Sequence, residues 1–291
     1  MEVIPVNELP ESMSGGLKKM AVSLNNSNAQ VSYALHCGQH TVNANELIGR
    51  TLTITYAGSI HCLHCNRKTR KSFSQGYCYP CFQSLAQCDS CIVSPEKCHY
   101  HMGTCRDPAW GDDFCMNDHI VYLANSSAPK IGITRATQIP TRWVDQGAAQ
   151  ALPILKTSSR RIAGLVEVIY KPHISDRTQW QRMLKATPED IDLHQLALEL
   201  QAKVAPEIKT IQNEFGTDCM TDLVSNDTKS TRIHYPVNSH PVKVKSVNLD
   251  KTPVFTGELT GIKGQYLIFG DQVLNVRKFG GYHVDISISN S

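Results

Sequence analysis

Alternation of apolar and polar residues marks the first sixty positions of the chain. Val31, Tyr33 and Leu35 are separated by smaller or polar residues, and residues 52–56 repeat this period of two. A two-residue period is typical of a β-strand with one buried face. The pattern predicts a β-rich segment over residues 1–60.

The middle of the chain predicts a hairpin followed by short elements. The run HIVYLAN, a Ser-Ser-Ala-Pro turn and the run KIGIT occupy residues 119–134, which suits two paired strands. Pro140 is placed to open a short helix that ends near Gly147. A further strand is expected around residues 152–155.

Helical periodicity begins at about Ser158. Ile162, Leu165, Val166 and Ile169 form one apolar stripe, which places Glu167 on the opposite side of the helix, away from the core. Pro172 should end this helix. The sequence Thr187-Pro-Glu-Asp resembles a second helix start, and apolar spacing continues to about Phe215.

The last third of the chain changes character. Polar residues rich in Asp, Asn, Ser and Thr predict a loop or linker, and the tail that follows predicts four or five short strands broken by glycines. The chain therefore predicts an α+β, multi-domain protein. The expected segments are 1–60 (β-rich), 61–118 (Cys-rich), 119–186 (α/β), 187–216 (helical), 217–241 (linker) and 242–291 (β-rich).

Composition narrows the class of protein. The 291 residues are 41% hydrophobic and 19% charged, which describes globular domains and argues against a disordered chain. No run of apolar residues is long enough to span a bilayer, and the N-terminus lacks the basic and apolar regions of a signal peptide. A cytoplasmic location without membrane attachment is the expectation, and the sequence gives no indication of oligomeric state.

Cysteine spacing is the strongest chemical signal. Nine of the eleven cysteines lie between Cys62 and Cys115. Two Cys-x2-Cys pairs separated by twelve residues are typical of a zinc ribbon, in which two short turns present four thiolates to one tetrahedral ion. The predicted ligands of this structural zinc are Cys62, Cys65, Cys78 and Cys81.

A second, less regular cysteine group predicts a second zinc. We expect its ligands to be Cys88, Cys91, Cys98 and Cys105, with His99, His101 and Cys115 as competing ligands. The odd number of cysteines and the absence of a secretion signal disfavour a disulfide framework. An iron–sulfur cluster remains open as the rival, because four thiolates can hold either group.

A basic stretch lies between the first two cysteine pairs. Arg67, Lys68, Arg70 and Lys71 precede Phe73, a pattern that suits binding of nucleic-acid phosphates with base stacking. A solvated hairpin tip explains the same residues equally well. The formal net charge of +3 does not decide between them, since thiolates bound to two divalent ions would make the sum slightly negative.

The central segment resembles the GIY-YIG endonuclease domain, in the variant that carries a lysine in the second motif. The resemblance covers residues 119–184. Its motifs are Ile120-Val121-Tyr122, Lys130-Ile131-Gly132 with Thr134, Arg142, Glu167 within GLVEVIYKPH, and the downstream Trp180.

This resemblance implies a phosphodiester hydrolase that uses one Mg²⁺ or Mn²⁺ ion bound by Glu167. Arg142, or Arg135 in its place, would stabilise charge on the phosphate. Tyr122 would position or activate the attacking water, and Lys130 stands where the family has its second tyrosine. His173 is a further acid/base candidate.

The whole chain also resembles the bacterial family named domain of unknown function 2797, through segments such as GYCYPCF and CHYHMGTCRDPAWG. The leading hypothesis is a zinc-containing nucleic-acid-binding protein, with a GIY-YIG-like domain that cuts DNA or RNA. The alternatives are a non-catalytic nucleic-acid-binding zinc protein and an iron–sulfur or redox protein.

Overall fold

The structure is a computed structural model that describes residues 9–290; the first eight residues of the predicted N-terminal β segment and the last residue of the chain lie outside the described residues. It contains helices together with several sheets, which confirms the α+β class. The strands are β1 (Ser12–Gly16), β2 (Ala21–Leu24), β3 (Val31–Cys37), β4 (His40–Asn43), β5 (Arg50–His61), β6 (Lys68–Thr69), β7 (His119–Asn125), β8 (Pro129–Arg135), β9 (Gln150–Thr157), β10 (Met220–Asp222), β11 (Thr231–Arg232), β12 (Lys245–Ser246), β13 (Val254–Glu258), β14 (Gly261–Lys263), β15 (Tyr266–Phe269), β16 (Gln272–Asn275) and β17 (Tyr282–Asn290).

The helices are α1 (Tyr79–Ser84), α2 (Pro108–Phe114), α3 (Thr141–Asp145), α4 (Arg160–Tyr170), α5 (Trp180–Lys185) and α6 (Leu193–Phe215). Among the described residues, eight short turns of 3-10 helix accompany them, four of them in the cysteine-rich part of the chain. Within residues 9–290, no helix combines the length and the apolar character needed to cross a lipid bilayer.

The chain divides into two compact units. Among the described residues, the first comprises residues 9–82, the short segment Leu184–Ala186 and residues 234–290. The second comprises Gln83–Met183 and Thr187–Ile233. The predicted Cys-rich segment 61–118 therefore contributes its first cysteine group to one unit and its second group to the other.

The first unit is built mainly from β-strands. Its largest sheet has the order β1-β17-β5-β13, with β6 added to the end of β5, and two smaller sheets have the orders β2-β3-β4 and β12-β16-β15-β14. The tail forms short strands, as predicted, but they belong to two sheets: β13 and β17 pair with β5, whereas β14–β16 lie in another sheet. In β17, Val284 and Ile286 are buried while Asp285 is exposed, and this alternation fits one face against the core.

The second unit has a sheet of order β10-β9-β7-β8, with β11 also pairing with β9. The predicted hairpin is confirmed: β7 and β8 pair in antiparallel register from His119 opposite Arg135 to Asn125 opposite Pro129. The predicted short helix after Pro140 and the strand at residues 150–157 are also present. Every residue of β7 is buried, which places this strand in the centre of the unit.

Two boundaries differ from the expectation. The predicted linker 217–241 includes β10 and β11, which bond to β9 and are too short to give a periodic signal. The second long helix begins at Leu193 and not at Thr187, because the Asp192 side chain accepts a hydrogen bond from the Gln195 backbone N–H and caps the helix there.

Helix α4 is covered on both sides. Its apolar stripe packs on the sheet, as predicted, and Ser159 caps its N-terminus. Gly164 lies against the turn Pro95–Lys97, where an added Cβ would be 2.5 Å from the Glu96 backbone nitrogen. Glu167 lies outside the apolar stripe, as predicted, but its side chain is only 13% exposed.

We predict that Gly164→Ala destabilises the second unit. Alanine favours helix by up to about 1 kcal/mol over glycine, but the backbone contact at Glu96 cannot yield easily, so we expect a net loss of roughly 1–3 kcal/mol. Urea unfolding followed by circular dichroism measures it. Val168→Ala on the exposed part of the same helix is the control and should change stability by less than about 0.5 kcal/mol. A Gly164→Ala protein as stable as the wild type would contradict the close packing.

Candidate functional site

The first thiol group, in the first unit, consists of Cys62, Cys65, Cys78 and Cys81. The four sulfur atoms all lie within 4.8 Å of one another, and the Sγ atoms of Cys65 and Cys78 are 3.7 Å apart. A tetrahedral ion with Zn–S bonds of about 2.3 Å requires sulfur atoms separated by about 3.8 Å. This group could therefore hold a metal such as zinc.

Local backbone structure explains how the first thiol group forms. Cys62 follows β5 directly, and the chain then reverses into β6, whose Lys68 pairs with His61. The reversal places Asn66 at φ +56°, a left-handed conformation that asparagine tolerates. Its backbone N–H donates to the carbonyl of Cys62 at 2.9 Å and closes the turn.

Backbone hydrogen bonds stabilise the thiolate form of two members of the first thiol group. Burial acts to raise the pKa of Cys62, but backbone N–H donors from Cys65, Cys78 and His64 outweigh it and lower that pKa. The backbone N–H of Arg67 lowers the pKa of Cys65 to about 6. Loss of hydration raises the pKa of Cys81 to about 12, so in the metal-free protein the group does not lose all its protons together. A bound cation favours the thiolate form of every ligand.

The basic stretch lies beside this group. Lys68, Arg70 and Lys71 are exposed, and the Lys71 ammonium lies 5.3 Å from the centre of the Phe73 ring. Arg67 is also exposed, but its Nε donates to the Cys65 sulfur at 3.2 Å. Arg67 therefore supports the thiol group, which leaves Lys68, Arg70 and Lys71 as the candidates for binding phosphate.

The second cysteine group lies in the second unit. One small cavity is lined by Cys91, Cys98, Cys105 and Cys115. Cys88 is buried in the turn Ala86–Cys88 and does not line it. His101 is exposed on a neighbouring turn. His99 and Asp89 line the same cavity as these four cysteines, and His99 Nε2 is 3.6 Å from an Asp89 oxygen.

A polar cluster forms a second candidate site in the same unit, around the hairpin. Tyr122 of β7 lies opposite Gly132 of β8, and a Cβ on Gly132 would be 2.8 Å from the Tyr122 hydroxyl. The Tyr122 hydroxyl donates to Gln146 Oε1 at 2.8 Å and accepts from the Arg142 side chain. The polar cluster comprises Tyr122, Lys130, Arg142, Gln146, Glu167, Lys171 and Asp176.

Burial perturbs the titratable groups of the polar cluster. Desolvation and the nearby Arg142 lower the pKa of Lys130 to about 8, and desolvation raises the pKa of Tyr122 to about 12. Desolvation also raises the pKa of Glu167, against the opposing charges of Lys171 and Lys130. Displaced pKa values in one place are typical of functional sites, although structural ion pairs can produce them too.

The structure thus brings together four of the five predicted catalytic side chains. Tyr122, Lys130, Arg142 and Glu167 belong to the polar cluster. His173 is exposed beyond the end of α4, and Arg135 lies over the Phe114 ring at 4.4 Å. Neither side chain is among the groups that perturb the pKa values of Tyr122, Lys130 and Glu167.

Sequence reasoning missed Gln146, Lys171 and Asp176. Lys171 Nζ is 3.6 Å from a Glu167 oxygen and 3.1 Å from an Asp176 oxygen. The spacing of four residues between Glu167 and Lys171 on one helix was the available signal for the first pair. Asp176 joins through a chain reversal after α4, which has no sequence signature.

Comparison with known proteins gives one match. Residues 49–284 match the family described as protein of unknown function (DUF2797). The chain belongs to this family. No curated protein and no solved structure matches the chain.

Membership in DUF2797 covers both cysteine groups and the polar cluster, because all their members lie between residues 49 and 284. The description of DUF2797 carries no activity, so the chemistry of this chain has to be argued from its own side chains.

We predict that Lys130→Met stabilises the protein near neutral pH. The pKa of Lys130 is about 8 in the folded chain against an ordinary 10.5, so folding costs free energy when the lysine is charged. We expect a gain of roughly 1–3 kcal/mol at pH 7. The gain should shrink as the pH rises towards 10.5, because the wild type then recovers the same free energy.

Urea unfolding of both proteins across this pH range measures the effect. Lys171→Met is the matched control: salt-bridging partners raise the pKa of Lys171, so its removal should not stabilise the protein. A Lys130→Met protein that is less stable than the wild type at pH 7 would show that interactions in the folded protein offset the cost of burying the lysine charge.

Proposed function

We propose that the protein is a zinc-containing nucleic-acid-binding protein and that its polar cluster is a GIY-YIG-like site for metal-dependent hydrolysis of phosphodiesters. The observation that carries this proposal is the meeting of Glu167 with Arg142 and Lys130 beside the Tyr122–Gly132 pair. A carboxylate together with several cations is what cleavage of a phosphodiester requires.

The donor chemistry of the polar cluster fits a hard divalent cation. Glu167 and Asp176 are carboxylates close enough to raise the pKa of Glu167, and oxygen ligands are those that Mg²⁺ and Mn²⁺ prefer. Glu167 would hold the ion, which when bound would polarise the scissile phosphate. The ion would also offset the cost of burying the Glu167 carboxylate.

The other members of the polar cluster divide into accessible and covered groups. Arg142 is partly exposed, so its guanidinium can reach a phosphate. Tyr122 is fully covered, and its hydroxyl is used by Gln146 and Arg142. We therefore assign Tyr122 to positioning Arg142, in place of the expected role of positioning or activating the attacking water.

Lys130 is shielded from solvent and interacts with the charges of neighbouring side chains. It is 3% exposed, and its charge interacts with those of Arg142, Glu167 and Asp176. A cation that interacts with the carboxylate favours the ionised form of Glu167 and would add positive potential where a phosphate approaches.

For the first thiol group we propose one structural zinc ion. The group closes a short segment that has few apolar residues, so metal binding would supply the folding free energy that packing does not. The exposed Lys68, Arg70 and Lys71 beside it would bind nucleic-acid phosphates.

We predict that Glu167→Gln abolishes cleavage and leaves binding intact. The amide keeps the shape of the side chain but removes the charge that would hold the divalent ion. The measurement uses labelled single-stranded, duplex and branched DNA and RNA with Mg²⁺ or Mn²⁺. We expect at least a hundredfold loss of rate relative to wild type.

Glu207→Gln, an exposed carboxylate on α6 of the same unit, should cut like the wild type. Cleavage by Glu167→Gln at the wild-type rate would remove Glu167 from the reaction. Binding by all three proteins without cleavage by any would favour the second candidate function, a non-catalytic nucleic-acid-binding zinc protein.

We predict that Lys68→Ala/Arg70→Ala/Lys71→Ala weakens binding and reduces its dependence on salt. Each phosphate contact contributes about 0.9 to the slope of log affinity against log salt concentration for duplex DNA, so the slope should fall by up to about 3. Fluorescence anisotropy at several salt concentrations measures this slope. Lys243→Ala/Lys245→Ala/Lys251→Ala makes the same change of charge at other exposed positions of the first unit and should leave the slope unchanged. Equal slopes for the two triple variants would mean that the basic stretch is a solvated surface.

A further inference from the structure

An exposed aromatic ring, that of Tyr79, lies beside the basic stretch of the first unit. Tyr79 is 51% exposed although it is a large aromatic residue. The centres of the Tyr79 and Phe73 rings are 5.4 Å apart, and the Lys71 ammonium lies 5.3 Å from the centre of the Phe73 ring. Phe73 therefore lies between an exposed cation and an exposed ring, and it joins them into one surface.

Packing and backbone hydrogen bonds fix the position of Phe73. Its ring stacks on that of Phe82, with 5.6 Å between the ring centres and an angle of 25° between the ring planes. The backbone N–H of Phe73 donates to the carbonyl of Tyr77 at 2.8 Å, and the N–H of Tyr77 donates to the carbonyl of Phe73 at 2.9 Å. Phe73 is thus partly buried and held by its own turn, whereas Tyr79 is the more accessible ring.

A further lysine reaches this part of the first unit from the C-terminal end of the chain. The Ser72 hydroxyl donates to the carbonyl of Gly280 at 3.1 Å, and an added Cβ on Gly280 would lie 2.5 Å from the carbonyl oxygen of Gln75. These contacts set the turn Val276–Phe279 against the segment between the two cysteine pairs. The turn carries the exposed Lys278, which no local pattern in the sequence connects with the basic stretch.

The two segments that meet here contain cations and no acidic residue. No Asp or Glu occurs between Glu46 and Asp89, or between Asp271 and Asp285. A zinc ion bound by four thiolates would be anionic, and Arg67 contacts one of those sulfur atoms. The other exposed cations of the two segments are Lys68, Arg70, Lys71 and Lys278. Their charges give this surface a positive potential, which suits an anionic partner.

We infer that this surface binds single-stranded nucleic acid, with an unpaired base stacked on Tyr79. We call it the stacking surface; it comprises Lys68, Arg70, Lys71, Phe73, Tyr79 and Lys278. Proteins bind single strands through cations that follow the phosphates and aromatic rings on which bases stack, and every base has a face that can stack. A duplex holds its base faces inside the helix, so it cannot use the ring.

The inference rests on the proposed binding of nucleic acid and names the form of strand that is bound. It adds Tyr79 and Lys278 to the binding residues, and it gives Tyr79 the stacking role that the sequence suggested for Phe73.

The first thiol group determines where the ring of Tyr79 lies. Tyr79 directly follows Cys78, whose sulfur is 3.7 Å from that of Cys65 on the other side of the basic stretch. An ion shared by these two cysteines would tie the ring to the phosphate-binding cations. The structural zinc proposed above would then order the stacking surface as well as the segment that carries it.

The test measures binding of the full chain to labelled single-stranded DNA and RNA and to duplexes of the same length, by fluorescence anisotropy without added Mg²⁺ or Mn²⁺. We expect roughly tenfold tighter binding of single strands. Tyr79→Ala should weaken single-strand binding roughly 5- to 100-fold. It should leave the slope of log affinity against log salt concentration unchanged, because stacking releases no counterions. Tyr79→Phe keeps the ring and should bind like the wild type.

Two controls separate stacking from charge. Val242→Ala removes a side chain that is 78% exposed elsewhere in the first unit, and it should bind like the wild type. Lys278→Ala should lower the salt slope by about 0.7 for single strands, whereas Lys251→Ala, at another exposed position of the first unit, should not. Zinc content and circular dichroism of every variant should match those of the wild type.

Equal binding of single strands by the wild type and Tyr79→Ala would overturn this inference and leave the proposed binding of nucleic acid in place. Equal affinity of the wild type for single strands and duplexes would do the same. A wild type that binds no nucleic acid would overturn both. Vesicles that contain phosphatidylserine are offered in parallel: if Tyr79→Ala weakens binding to the vesicles and not to nucleic acid, the partner is an anionic lipid surface and the inference is wrong.

Discussion

The second unit depends on one steric constraint: the Tyr122 ring occupies the space that a side chain at position 132 would need. Because Gly132 has no Cβ, the ring can lie across β8 and remain fully covered while its hydroxyl reaches Gln146 and Arg142. The antiparallel register of the hairpin sets this pair directly opposite each other. A shift of one residue would turn Tyr122 to the other face and separate it from Arg142. The hairpin therefore determines both the core of the unit and the position of its candidate phosphate-binding arginine.

Around that pair the protein buries charge that a purely structural core would avoid. Lys130 and Glu167 both lose hydration, and each has its pKa moved towards the neutral form. The attraction between Lys130 and Glu167 and that between Lys171 and Glu167 offset part of the free energy of desolvation. Such an arrangement stabilises a fold poorly, so its presence next to an accessible arginine supports a role in binding or chemistry.

The two cysteine groups illustrate two ways of gathering thiols. In the first, paired turns bring all four sulfur atoms within 4.8 Å, and backbone N–H groups stabilise the thiolate of Cys62. In the second, separate short elements place four thiols on the wall of one cavity, and the charge of Arg160 interacts with three of them. The Cys88-x2-Cys91 pair contributes only Cys91 to this wall, because Cys88 does not line the cavity. The close contact of Gly164 with Pro95 and Glu96 ties that second group to the helix that carries Glu167.

Local patterns in the sequence were sufficient for the α+β class, the hairpin at residues 119–135, the helix that starts after Ser159 and the first thiol group. Each depends on residues close together in the chain, whose spacing has a direct geometric meaning. Only the tertiary structure decided the pairing of β17 with β5, the strands β10 and β11, the burial of Glu167 and the place of Cys115 in the cavity wall. These features arise from contacts between distant segments, and residue spacing carries no information about such contacts when the intervening turns are irregular.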